Sequence, residues 1–251
     1  MRRRCTCVPL TNRLPAYQPF TTDADIVLDP SLLTDRPPLG DVMRNAGFVL
    51  TAEPGIWEAR FRRPNFGDDV VVPVDLIVPM QVAAGPGRRS ARLGGEHGKH
   101  SARKSEGLEG ALADHSPIQI SAIDPADDRV VVVNVAGEAA LLVAKLHKLG
   151  DRLEKPERLS AKDAGDVYRL FDVVAPDEMA TRLTTLLTDE RSGAATLKAL
   201  DYGDTLFRAA GGTGVRLGVE ALRTTIPEAT VSAVLTGYWR ALRAVGEATG
   251  S

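Results

Sequence analysis

Two carboxylates, Asp23 and Asp25, stand two residues apart where an apolar stretch begins, in Thr22, Asp23, Ala24, Asp25, Ile26, Val27, Leu28. Residues two apart on a strand share a face. The spacing predicts that both acids point at one spot while Ala24, Ile26 and Leu28 turn toward a core. Two neighbouring carboxylates repel unless a cation or a shared proton lies between them, and a hard, oxygen-seeking ion such as Mg²⁺ suits that role. The plainer alternative makes Asp23, Asp25 and Asp29 turn or strand-entry residues on a solvated face.

A third acid strengthens the pattern, because two-metal phosphoryl chemistry draws on about three oxygen ligands. Asp75 is the one charge in Val70 to Pro79, an otherwise apolar run with two prolines. An acid inside a buried strand is costly unless paired or bound to metal; at a strand end it could equally cap a turn. Farther on, Lys145, Lys148 and Arg152 recur at helical spacing. By themselves they read as a solvated stripe partnered by Asp151.

These residues need elements to hold them. The 251 residues are 43% hydrophobic and 25% charged, enough for one large domain or two modest ones of a soluble globular class. Strands are expected at 24–29, 48–50, 57–62, 70–79, 118–122 and 129–135, where β-branched and aromatic residues alternate or cluster. A short helix is expected at Leu39 to Asn45, closed near Gly47. After Ala136 the period becomes helical: Glu138 to Leu149, Asp163 to Val174, Pro176 to about Thr188, Gly193 to Phe207, Val215 to Thr224 and Pro227 to Thr249. The expected class is α+β, a mixed β-sheet domain over 1–135 and a helical domain over 136–251.

Lys and Arg number 31 against 33 Asp and Glu, so nucleic-acid affinity must come from a local patch. Gly85 to Lys104 is such a patch, carrying Arg88, Arg89, Arg92, Lys99, Arg103 and Lys104 with Glu96 its one acid. Read as a flexible loop, it would suit the phosphates of an RNA; an exposed, solvated insertion is the alternative. His97, His100, His115 and His147 lack metal-ligand spacing. Cys5 and Cys7 are too close for an easy disulfide and too few for zinc. No apolar run nears the roughly 18 residues of a membrane span, and Met1 to Arg4 leads into no apolar signal core. The expectation is a cytoplasmic protein.

Thr22 to Val27, Val74 to Ile77, and Ala144 to Arg152 leading to Ala161 to Tyr168 occur in an order and approximate spacing that resemble the AbiEii/MenT-type nucleotidyltransferases. These are toxins of bacterial toxin–antitoxin systems with a DNA polymerase β-like nucleotidyltransferase fold, and the resemblance spans about 20–175. It implies that Asp23 and Asp25 hold Mg²⁺, with two ions accommodated, on the phosphates of an NTP. Asp75 would be the third acid and polarise the attacking hydroxyl. Lys145, with Lys148, would meet the triphosphate, and Asp163 or Asp166 would orient Lys145 or the substrate. It further implies an RNA acceptor, a tRNA 3′ end above all, and a cognate antitoxin.

The chain departs from that pattern in one place. Such enzymes carry a Gly-Gly or Gly-Ser turn about a dozen residues before the acid pair, where backbone amides meet phosphate. Residues 1–22 contain no glycine. The Arg2, Arg3, Arg4, Cys5 start leads us to expect a truncated or misplaced N-terminus. A degenerate scaffold that binds RNA or an antitoxin without catalysis is therefore a second reading. A haloacid-dehalogenase-like phosphatase with Asp23 as nucleophile is a third, although its motif should end a buried strand. A calcium loop fails, since Leu28 and Thr34 stand where glycine and glutamate are needed.

Overall fold

The computed structural model describes residues 23–62, 69–85, 89–122 and 126–249. Cys5, Cys7, Arg88 and the glycine-free stretch 1–22 lie outside the described residues. The chain is α+β, with β1 (Ala24–Val27), α1 (Leu39–Asn45), β2 (Val49–Leu50), β3 (Ile56–Arg62), β4 (Asp69–Pro79), β5 (Arg103–Ser105), β6 (His115–Ser121) and β7 (Val130–Ala136) coming first. Then come α2 (Glu138–Gly150), α3 (Ala161–Val173), α4 (Pro176–Thr188), α5 (Gly193–Phe207), α6 (Thr213–Leu222) and α7 (Glu228–Thr249). Its contacts form two compact units that part between Leu108 and Glu109.

In the first unit the strands form a mixed sheet in the order β1, β4, β3, β2. β1 runs parallel to β4, and β3 antiparallel to it. β5 continues beyond β3 as a parallel neighbour of β4. One face of the sheet is apolar: Trp57, Val74, Leu76 and Val78 pack with Met43, Ala91, Leu93 and Ala102, and Leu28 joins them partly buried. Ile26, expected in that core, is 45% exposed, because β1 is an edge strand of only four residues. β1 stops at Val27 rather than 29, since Asp29 Oδ1 accepts from Ser31 N at 2.9 Å and caps the turn that Pro30 opens. Gly47, with φ +86°, ends α1 in a left-handed conformation.

From Arg89 to Lys104 the basic segment is a folded part of this unit, not the flexible loop expected. Ala91, Leu93 and Ala102 are buried, Trp57 Nε1 donates to Ser101 O at 2.9 Å, and Gly55 N donates to His100 O at 2.8 Å. Gly55 has φ +77°, and a Cβ on it would strike Arg103 N and Leu76 O, so only glycine lets the segment close against the sheet. Small apolar residues at irregular spacing within Arg, Gly and Ser have no period to betray a strand.

β6 and β7 pair antiparallel as a separate two-stranded sheet. Their hairpin clusters with the helices, where a boundary at 135/136 would have put it with the mixed sheet. A local tie accounts for this: Gly137 N donates to Asp114 O at 2.8 Å, and Ala140 N donates to Asp114 Oδ2 at 3.0 Å, so Asp114 anchors the start of α2 to the start of the hairpin. The helices bury a leucine-rich core in which Phe171 stacks on Tyr238 at 3.9 Å. α4 begins with Pro176 and carries Asp177 and Glu178 in its first turn, where proline needs no donor and acids meet the positive end of the helix dipole.

Candidate functional site

Parallel pairing puts Asp25 directly beside Asp75, and Val27 beside Ile77. Ile77 in turn lies beside Arg103 on the far side of β4. Two-residue periodicity therefore directs Asp25, Asp75 and Arg103 to one face, opposite Trp57 and Leu76. The side chains meet there. Arg103 Nη2 and Nε donate to Asp75 Oδ2 at 2.7 and 3.1 Å, and Nη2 stands 4.0 Å from Asp25 Oδ1. Asp75 is 19% exposed and Asp25 63%, while Asp23 is exposed just before β1.

The cation that an acid pair demands is supplied here by the protein itself. Arg103, expected among the RNA contacts, is the counter-ion of Asp75. Both of its donors fall on one oxygen of that carboxylate. The other oxygen, with the Asp25 carboxylate alongside, is a hard donor set that fits Mg²⁺ or Mn²⁺.

The second unit brings Lys145, Asp163 and Asp166 together. Spacings of three and four put Lys145, Lys148 and Arg152 on one face of α2 and its C-terminal extension, and Asp163, Asp166 and Arg169 on one face of α3. Lys145 Nζ lies 2.7 Å from Asp166 Oδ2 and 3.3 Å from Asp163 Oδ1. Asp163, only 2% exposed, also meets Lys148 at 3.1 Å and Arg152 at 3.5 Å, and Arg169 meets Asp166 at 2.8 Å. Burial pulls the Lys145 pKa down, but Asp166 and then Asp163 more than reverse that, so it rises above its ordinary value. Four cations thus gather on these two acids. Asp151 is not the partner of Lys145: it accepts from Tyr202 OH at 2.7 Å.

No family model, curated protein or solved structure matches this chain. Its function rests on its own residues.

Of the basic segment, Arg89, Arg92 and Lys99 are exposed. Lys104 is a correction: it is buried and donates to Gly85 O at 2.6 Å, which removes it from any RNA contact. The histidines serve packing and polar contacts. His97 Nδ1 accepts from Leu39 N at 3.1 Å, and buried His147 places Nε2 2.8 Å from Ala195 O. Sequence reasoning placed Arg103 among RNA contacts rather than at the acid pair, and missed Arg169 as a member of the cluster. Arg169 was findable three residues after Asp166; Arg103 was not, because its partner lies 28 residues away.

Proposed function

We propose that the chain is a Mg²⁺-dependent nucleotidyltransferase that moves a nucleotide from an NTP to an RNA acceptor, a tRNA 3′ end in particular, as the toxin of a toxin–antitoxin pair. The observation that carries this reading is Asp25 in register with Asp75 on adjacent parallel strands. A mixed sheet bearing its acids in this way supports the nucleotidyltransferase arrangement that the resemblance implies. The tRNA, the toxicity and the antitoxin rest on the resemblance alone.

Asp25 and Asp75 would hold the metal, with Asp23 two residues earlier in the chain as the further acid the resemblance implies, and a bound divalent cation supplies the charge neutralisation that phosphoryl-type transfer needs. Arg103 keeps the Asp75 carboxylate in a set orientation. Asp163 and Asp166 hold the Lys145 ammonium in place and charged, as a phosphate-facing cation must be. Arg89, Arg92 and Lys99 are the exposed cations for RNA phosphates. β1 runs onward from Asp25 to Val27, so the acids stand at the start of the strand, which disfavours the dehalogenase-like phosphatase.

One observation favours the degenerate scaffold instead: Arg103 already satisfies Asp75. Purified protein with each labelled NTP, Mg²⁺ and total tRNA decides between the readings. Transfer of label that is lost in Asp25→Ala and in Lys145→Ala supports the enzyme. No transfer with any NTP favours the scaffold, and an aspartyl-phosphate trapped at Asp23 favours the phosphatase.

A further inference from the structure

The α5 and α7 helices of the second unit meet through a glycine. A Cβ on Gly203 would fall inside the Trp239 ring, so its absence lets the indole sit directly on α5. Trp239 Nε1 then donates to Asp204 Oδ1 at 2.8 Å, and Arg243 Nη2 lies 3.3 Å from Asp204 Oδ2. Both oxygens of Asp204 are thus committed within the fold. Beside them opens a cleft of about 420 Å³ lined by Asp204, Arg208, Trp239, Arg240, Arg243 and Ala244.

The lining holds three guanidiniums and one carboxylate. Asp204 offsets Arg243, and no carboxylate among the described residues lies within ion-pairing distance of Arg208 or Arg240. Among the described residues, Arg208 and Arg240 thus face one concavity without a carboxylate in ion-pairing range. Its volume falls in the range of small-molecule sites, roughly 300–1,000 Å³. Planar guanidinium forks match phosphate oxygens in pairs, and a phosphate monoester carries a charge of about −1.5 to −2 at neutral pH, which two arginines balance.

We propose that this cleft binds a phosphate monoester on a nucleotide-sized ligand, with Arg208 and Arg240 as the phosphate ligands and Arg243, held by Asp204, as a fixed third donor. The same chemistry is offered by a free nucleoside monophosphate and by the phosphorylated end of an RNA strand. The inference goes beyond the transferase reading and does not depend on it.

Calorimetric titration of the full chain in EDTA, with AMP, adenosine, and a trinucleotide with or without a 5′-phosphate, tests this without metal-dependent nucleotide binding. AMP is expected to bind, more weakly as salt rises, and adenosine not to bind. Each of Arg208→Gln and Arg240→Gln should weaken AMP about tenfold at unchanged Tm, as loss of a charge-assisted hydrogen bond does. A phosphorylated trinucleotide that binds more tightly than AMP assigns the site to RNA ends; equal or weaker binding assigns it to free nucleotides. No heat at millimolar AMP, binding of adenosine equal to that of AMP, or AMP binding that survives the double substitution overturns the proposal.

Discussion

Arg103 reaches across the β4–β5 edge and sets two nitrogens, at 2.7 and 3.1 Å, on one carboxylate oxygen of Asp75. In a site framed by acids, this guanidinium is at once a stabiliser and a competitor. It removes the repulsion between Asp25 and Asp75, and it holds the position that a divalent cation would seek.

Arg103→Gln should therefore raise Mg²⁺ or Mn²⁺ affinity at the acid face, about tenfold for a change of roughly 1.4 kcal/mol. The same variant should lose about 1–2 kcal/mol of stability without metal, because Asp75 is only 19% exposed and would lose the guanidinium donors that its carboxylate accepts from. Added Mg²⁺ should restore Tm. Calorimetry and thermal melts read both effects, and Asp75→Asn on top of Arg103→Gln should abolish the gain. Unchanged affinity in Arg103→Gln would show that Arg103 does not compete with metal.

Lys145 is held charged by Asp166 and Asp163, with its pKa raised above 10.5. The stability it contributes is complete below that pH and is lost as pH rises through the higher folded-state value. Lys145→Met should lower stability by about 1–2 kcal/mol at neutral pH, a loss moderated because Asp163 keeps Lys148 and Arg152. Its urea midpoint should also fall less steeply than wild type above pH 10.5. Parallel alkaline curves for the two proteins would contradict the pairing.

Tyr238 stacks on Phe171 at an interplanar angle of 9°, and its buried hydroxyl finds no hydrogen-bond partner among the described residues. Tyr238→Phe keeps the ring and removes the unsatisfied group, so it should stabilise by about 1 kcal/mol. Burial, then Glu178 and Asp177, push the phenol pKa well above its usual 10.0. Wild type therefore loses stability as pH rises past that value, where the unfolded chain ionises first. The advantage of the variant should widen between pH 9 and 11 in urea titrations, values chosen to bracket the usual tyrosine pKa.

Gly203→Ala raises helix propensity yet should destabilise by about 2 kcal/mol or more, because the added methyl meets the Trp239 ring. The displaced indole would give up Asp204, so Trp239 emission should shift, read in a Trp57→Phe background to isolate it. A neutral or stabilised Gly203→Ala would mean that α5 and α7 separate without penalty.

The helices were legible because their signal is local. α4 opens at Pro176 as its proline and first-turn acids predict, and α5 spans Gly193–Phe207 as its spacing predicts. Alternation likewise marked β3, and crowded β-branched residues marked β4 and placed Asp25 within a strand. Lys145, Asp163 and Asp166 could be paired by their repeats of three and four, once α2 was set against α3.

What the residue pattern by itself determined is a set of elements and the side chains they carry, since periods of two and 3.6 residues are written into neighbouring positions. It left open which strand lies beside which. Only the tertiary structure put Asp25 beside Asp75, turned Arg103 from an RNA contact into their counter-ion, buried Lys104 against Gly85 O, and set Arg208 facing α7 across a cleft. Each of these depends on residues far apart in the chain, where burial and charge compensation are decided by packing rather than by sequence neighbours.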